Sequence, residues 1–222
     1  MSQQVWTAVD DYFTETLIGD DPVLAAAQQA ADAAGLPRIA VSAPQGKQLQ
    51  LLAQTLGAKR VLEVGTLGGY SAIWMARALP ADGRLVTLEI DPVHAEVARG
   101  NLKHAGFAEI AEVRVGPAAE SLQQLADEGA APFDLVFIDA DKPSNPVYFA
   151  WALRLTRPGS LIIVDNTVRG GKVAEADSTD PAIVGTRRLH DAIAAEPRVS
   201  ATSIQTVGAK GYDGFTMIRV QA

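Results

Sequence analysis

The chain has 222 residues, 48% apolar and 20% charged, with a formal net charge of −7 and no cysteine. That length and composition suit one soluble α/β unit with a full-sized core, and the lack of cysteine removes disulfides, thiolate nucleophiles and Cys-ligated metal centres. A pI of about 4.9 without any block of Lys or Arg argues against a nucleic-acid face; no apolar run reaches the length of a membrane span and no signal-peptide layout opens the chain, so a cytoplasmic location is expected.

Residues 1–57 read as an Ala-rich helical cover. It is broken at "GLPRIAVSAPQGK" (35–47), where Pro37 and Pro44 bracket a stiff, non-helical segment, and a helix resumes in "QGKQLQLLAQTLGA" (45–58). Residues 58–222 carry the core. "RVLEVG" (60–65), "RLVTLEI" (84–90), "EVRVG" (112–116), "FDLVFID" (133–139) and "SLIIVDN" (160–166) are continuous apolar runs, the pattern of parallel strands covered on both faces. Helical patterns at 70–80, 91–106, 117–129 and 145–159 alternate with them, with Gly and Pro as stop signals. Such alternation predicts a doubly wound, mostly parallel sheet. After residue 166 a Gly- and Asp-rich loop (169–181) leads to a helix (182–195) and two strands, 198–207 and 213–220, joined by "GAKGYDG" (208–214). Two late strands so close in sequence predict an antiparallel hairpin at one edge. No repeat or linker interrupts the chain, so one domain over 1–222 is expected.

"LEVGTLGGYS" (62–71) joins the first strand to its helix. Gly65, Gly68 and Gly69 allow a tight turn and a close backbone approach to a ligand at the carboxyl end of the sheet. The spacing is G-x-x-G-G, so the dinucleotide fingerprint G-x-G-x-x-G is not met. Glu63 places a charge inside a strand end, which is unfavourable without a partner; a cationic or donating ligand accounts for it, and a salt bridge to a neighbour is the structural alternative. The second strand ends in "TLEID", and an acid there is placed to bind both ribose hydroxyls, with Glu89 and Asp91 as candidates. The pair of features implies an adenosine-type cofactor.

The fourth and fifth strands finish on acid: "FIDADK" (137–142) and "IIVDN" (162–166). If those strands are neighbours, Asp139, Asp165 and Asn166 converge as hard oxygen ligands suited to Mg²⁺, Mn²⁺ or Ca²⁺, with water and a substrate oxygen completing the shell. Acids that merely cap helices are the alternative. Lys142 stands beside this set; near a divalent cation a lysine loses some preference for its charged form and can accept a proton, unless it only neutralises Asp141.

"VLEVGTLGGYSAIWMARAL", "TLEID", "FIDADK" and "IIVDN" together resemble the signature blocks of the cation-dependent S-adenosylmethionine O-methyltransferases, the group that includes catechol and caffeoyl-CoA O-methyltransferases. The blocks keep the family's order over about residues 40–220, and "DADK" followed by "DN" is the specific part. The resemblance implies a class I methyltransferase Rossmann-like fold, S-adenosyl-L-methionine and Mg²⁺ (or Mn²⁺ or Ca²⁺) as cofactors, and a small phenolic acceptor of catechol type. It implies Asp139, Asp165 and Asn166 as metal ligands and Lys142 as general base. Glu63, Gly65, Thr66 and Ser71 match positions at the methionine end of the cofactor, Glu89 the ribose acid, Ala118 in the 116–118 turn the adenine side, and Val41 a lid position; Asp139 belongs with the cofactor positions as well. A homodimer is implied too.

The chain departs from the family in places. Asp141 stands where the catechol enzyme has a lid tryptophan, Ala140 offers adenine no side-chain donor, and the last turn, "VGAKGYDGF", reads as long. His94, His104 and His190 have no ligand partner at suitable spacing and read as surface or satisfied helix positions. Trp74, Met75 and Trp151 read as core. Trp6, Tyr12 and Phe13 suit a dimer face or the substrate mouth, and Arg169, Lys172 and Tyr212 lie in loops near the presumed substrate opening. Rival readings are a metal-independent N- or carboxyl-methyltransferase, a nicotinamide-dependent oxidoreductase, and a binding protein that has lost transfer.

Overall fold

A computed structural model describes residues 2–222. Among them, seven strands form one sheet: β1 (Arg60–Val64), β2 (Arg84–Glu89), β3 (Ala111–Val115), β4 (Phe133–Ile138), β5 (Thr156–Asp165), β6 (Val199–Gly208) and β7 (Gly211–Val220). Their order is β3-β2-β1-β4-β5-β7-β6. β1 to β5 are parallel, and β7 runs antiparallel to both β5 and β6. The expected mostly parallel sheet with an antiparallel hairpin at one edge is therefore what forms. The chain moves outward from β1 to β3, then restarts at β4 on the other side of β1. That reversal opens a crevice at the carboxyl ends of β1 and β4, where open α/β sheets bind ligands.

Ahead of the sheet lie α1 (Gln3–Phe13), which runs into a π-helical turn (Thr14–Ile18), then α2 (Pro22–Ala33) and α3 (Ala43–Thr55). Between and after the strands come α4 (Tyr70–Ala76), α5 (Pro92–His104), α6 (Ala118–Asp127), α7 (Asn145–Arg154) and α8 (Pro181–Ala194). Local chemistry starts many of them. Asp21, Ser42, Asp91 and Asp180 each accept a first-turn N–H, with a proline close behind at the start of the helix. Asp91 is thus a helix cap.

Side chains alternate along the strands into two cores. Val61, Leu85, Leu135, Phe137 and Ile163 face α2–α5 with Trp74 and Met75. Leu62, Val86, Val136, Ile138 and Val164 face the other layer with Leu122, Phe149 and Leu189. Burial on both faces is why these strands read as unbroken apolar runs.

Several sequence boundaries shift. The helix predicted over 145–159 stops at Arg154: the Thr156 hydroxyl bonds the Ala152 carbonyl at 2.8 Å, and the chain then turns into β5, pairing Thr156 with Phe133. Pro158 cannot extend a helix. α4 ends at Ala76 rather than 80. Pro44 lies inside the first turn of α3 and does not bound the break before it. The long-looking last turn is short, because the strands run to Gly208 and restart at Gly211, leaving Ala209 and Lys210 as the connection. α1 clasps that tip: Gln3 Nε2 donates to the Gly208 carbonyl at 2.9 Å, and the Ala209 N–H donates to Asp10 at 2.7 Å. No helix among the described residues is long and apolar enough to cross a membrane.

Candidate active site

The crevice holds a cavity of about 610 Å³, within the range of small-molecule sites. Its roof is the segment from Pro37 to Val41; its floor is the glycine loop at Gly65, Thr66 and Leu67, with Tyr70 and Ser71 from α4. Glu89 and His94 stand at one end, Gly116 and Ala118 beside them, and Asp139, Lys142 and Asn166 at the other. Val41, Gly65, Thr66, Ser71, Glu89, Ala118 and Asp139 thus line one cavity.

Gly65 is needed for this shape. Its φ is +100°, and a Cβ there would lie 2.1 Å from the Asp139 carbonyl oxygen. The ends of β1 and β4 approach this closely because the Asp139 N–H donates to the Val64 carbonyl at 2.8 Å.

Glu63 is placed differently from its cavity neighbours. It is fully buried beneath the loop, accepting the Ser71 and Thr87 hydroxyls at 2.5 Å each, and it reaches the cavity only through Ser71. Burial pushes its carboxyl up to about 8; the two hydroxyls oppose that rise, and the Asp139 and Glu89 charges add to it. A positive group arriving at Ser71 would find a proton-bearing acid ready to ionise.

Glu89 accepts the Leu67 N–H at 2.7 Å and the Asp91 N–H at 3.0 Å. Each carboxylate oxygen keeps a free lone pair for a hydroxyl donor. His94, read from the sequence as having no acid partner, lies with Nδ1 3.7 Å from Glu89 and lines the cavity. The register explains the miss: α5 begins just after β2 and folds its first turn back over the strand end.

β4 and β5 are neighbours, and the pairing of Ile138 with Val164 sets Asp139 beside Asp165 at the same edge. Lys142 is 8% exposed and its Nζ donates to Asp139 Oδ1 at 2.8 Å. It does not neutralise Asp141, which caps the following 3₁₀ turn through the Ser144 N–H at 3.2 Å and accepts the Tyr148 hydroxyl at 2.5 Å. Burial and the Asp141 partner push the Tyr148 phenol up to about 12. Asp165, 5% exposed, is raised above the ordinary carboxylate range by burial and by the Asp139 charge, against the Asn166 N–H, Lys142 and Gln45. Two carboxylates that repel each other at a buried edge, balanced by one lysine, fit a divalent cation. Among the described residues no three His, Cys, Asp or Glu side chains converge on a metal position. The donor set here is two carboxylates and the amide of Asn166, a hard-oxygen set that suits Mg²⁺ or Mn²⁺ and not a thiolate-seeking metal. Asn166 has φ +53°, a backbone conformation that Asn tolerates better than most residues.

A second cavity, about 280 Å³, opens on the other side of Asp165 and Asn166. The hairpin supplies Tyr212 and Phe215, α3 supplies Gln45, and Asn166 lines both cavities. Tyr212, read from the sequence as a loop residue, stands in β7 and lines this cavity, whereas Arg169 and Lys172 stand outside both linings. Gln45 was not singled out from the sequence. Its Nε2 donates to Asp165 Oδ2 at 2.7 Å across 120 residues of chain, a contact that no local pattern announces.

The remaining aromatic and histidine residues sort by burial. Trp74 and Met75 are core. Trp151 is only partly buried, with the Arg154 guanidinium 4.3 Å from its ring centroid. His190 is satisfied by Thr216 at 3.0 Å, and His104 is on the surface. Tyr12 and Phe13 are exposed on α1 and Trp6 is half-buried; none of the three lines either cavity.

Known proteins resemble this chain over nearly its whole length. A family model described as O-methyltransferase matches residues 14–220. A catechol O-methyltransferase of Niastella koreensis is 52% identical over 100% of both chains. A catechol O-methyltransferase of Mycobacterium tuberculosis is 56% identical, covering 96% of this chain and 95% of that one. The crystal structure of the O-methyltransferase from Bacillus cereus in complex with SAH superposes with a TM-score of 0.98 at 54% identity, over 99% of this chain and 100% of that one.

Proposed function

This chain belongs to the O-methyltransferase family, and from that premise we propose that it moves the methyl of S-adenosylmethionine to one hydroxyl of a catechol-type phenol, with a divalent cation at Asp139, Asp165 and Asn166. The observation that carries the reading is the meeting of two cavities at Asn166, with Lys142, Asp139 and Asp165 at the junction. The larger cavity suits the cofactor. Glu89 faces the ribose hydroxyls, Gly65, Thr66 and Ser71 the methionine end backed by Glu63, Ala118 the adenine side, and Val41 the roof. The smaller cavity suits a single phenolic ring. The relative from Bacillus cereus holds SAH, the product left once the methyl has gone, and the two relatives named above are catechol O-methyltransferases.

When bound, the cofactor supplies an electrophilic methyl and the cation supplies Lewis acidity toward the acceptor oxygen. A free phenol has a pKa near ~10, so a base is needed at neutral pH. With the cofactor and cation bound, Lys142 Nζ would accept the proton that the acceptor hydroxyl gives up on methylation. Asp139, 2.8 Å away, then holds the new ammonium. Base catalysis of this kind contributes ~10²–10⁴-fold. Fixing the acceptor between the two cavities supplies more, up to ~7–11 kcal/mol in favourable cases.

Residues 1–57 act as the lid of the same functional unit. The outer side of α1 and its π turn leaves Val5, Val9, Tyr12, Phe13 and Leu17 exposed, Ile204 and Val207 are exposed on the edge strand β6 that α1 contacts, and a second copy of this chain in the cytoplasm is the proposed cover.

The test is methyl transfer from labelled S-adenosylmethionine to vicinal diphenols, with EDTA and then with Mg²⁺ restored. Transfer that stops with chelator and returns with Mg²⁺ is expected. Transfer indifferent to EDTA would remove the cation and favour a metal-independent methyltransferase.

A further inference from the structure

Gln45 occupies the first turn of α3, its N–H 3.4 Å from the hydroxyl of the N-cap Ser42. The residues just before that cap, Pro37 to Val41, roof the larger cavity. The Gln45 side chain leaves the roof and meets the sheet edge, where Nε2 donates to Asp165 Oδ2 at 2.7 Å. A carboxylate oxygen can only accept, so the amide nitrogen must be the atom facing it. The other oxygen, Oδ1, accepts the Asn166 N–H at 2.8 Å.

Asp165 is therefore gripped at both oxygens. One grip comes from the next residue of its own chain, Asn166, at φ +53°. The other comes from a helix packed over the sheet. Each oxygen keeps one lone pair, so the two hydrogen bonds orient the carboxylate without exhausting it. Orientation matters here because Asp165 is buried beside Asp139, where a freely turning carboxylate would also turn toward its neighbour's charge.

We propose that Gln45 is a positioning residue for the cation site: it holds the Asp165 carboxylate in the orientation that receives a divalent ion. The inference rests on the cation assigned under the proposed function. Partners that orient metal ligands in this way typically change metal affinity 10–100-fold when removed.

The experiment titrates Mn²⁺ into the purified full-length protein, reading free Mn²⁺ by electron paramagnetic resonance, for wild type, Gln45→Ala and Gln45→Met. The methionine keeps the length and the apolar stem and removes only the donor. SAH affinity is measured by calorimetry in EDTA on the same samples. The expected result is Mn²⁺ binding weakened roughly 10-fold or more in both variants, with SAH affinity within twofold of wild type. Unchanged Mn²⁺ affinity would overturn the proposal. So would a parallel loss of Mn²⁺ and SAH binding, which would make Gln45 a structural tie of α3. A wild type that binds SAH but no Mn²⁺ would overturn the cation reading itself, and the role of Gln45 with it.

Discussion

Replacing Glu63 with glutamine tests whether the acid beneath the glycine loop is held protonated. Glu63 is fully buried, and its folded-state pKa of about 8 stands above the ordinary 4.5. Below pH 4.5 both folded and unfolded chains carry the proton, and the group has no effect on stability. Above that point the unfolded chain releases its proton while the folded chain keeps it. Stability therefore falls as pH rises, by about 1.4 kcal/mol per unit, until the folded group ionises near 8. From pH 5 to pH 7 the loss is roughly 3 kcal/mol, an order-of-magnitude figure. Glu63→Gln does not titrate, so its stability relative to wild type should grow by about that amount over the same interval. Urea denaturation of both proteins without cofactor, at half-unit pH steps, measures the difference. Parallel curves would refute the reasoning, because they would mean the carboxylate is already ionised in the fold. A linked expectation follows for binding: SAH carries an ammonium, and its uptake near pH 7 should release a proton from wild type and not from the variant, read by calorimetry in buffers of different ionisation enthalpy.

Lys142→Met should keep SAH and Mn²⁺ binding and lose ~10²–10⁴ of the single-turnover rate near neutral pH; a rate unchanged across the pH range would take lysine out of the base role. Gly65→Ala must bring a methyl to 2.1 Å from the Asp139 carbonyl at φ +100°, so we expect a loss of at least ~1–3 kcal/mol in thermal stability together with weakened cofactor binding; a variant as stable as wild type would contradict the close approach of β1 and β4. Leu17→Glu, at a residue 71% exposed on the outer side of the cover, tests the proposed second copy: sedimentation should shift toward a monomer with the fold retained, and an unaltered sedimentation coefficient would remove this face from any contact between copies.

Much of the cavity was legible beforehand because its residues lie in short motifs at strand ends. A strand that finishes in Asp or Glu delivers that side chain to the carboxyl edge whatever the rest of the chain does, so Glu89, Asp139 and Asp165 could be located once the strands were recognised. His94 escaped because its partner is set by how α5 folds back over β2. Lys142 could be noticed beside both Asp139 and Asp141, and only the packed turn selects Asp139, leaving Asp141 to the Ser144 N–H and the Tyr148 hydroxyl.

Taken alone, the sequence determined which segments become strands, that the parallel ones are covered on both faces and which acids reach the sheet edge, because period and apolar run length act within a few residues of chain. Strand order, the burial of Glu63 behind Ser71, the short hairpin tip clasped by α1, and the hydrogen bond from Gln45 to Asp165 were decided by the tertiary structure. Each joins groups that are neighbours only after the chain has closed on itself, and their energies depend on burial and on the mutual position of charges, neither of which is written in local pattern.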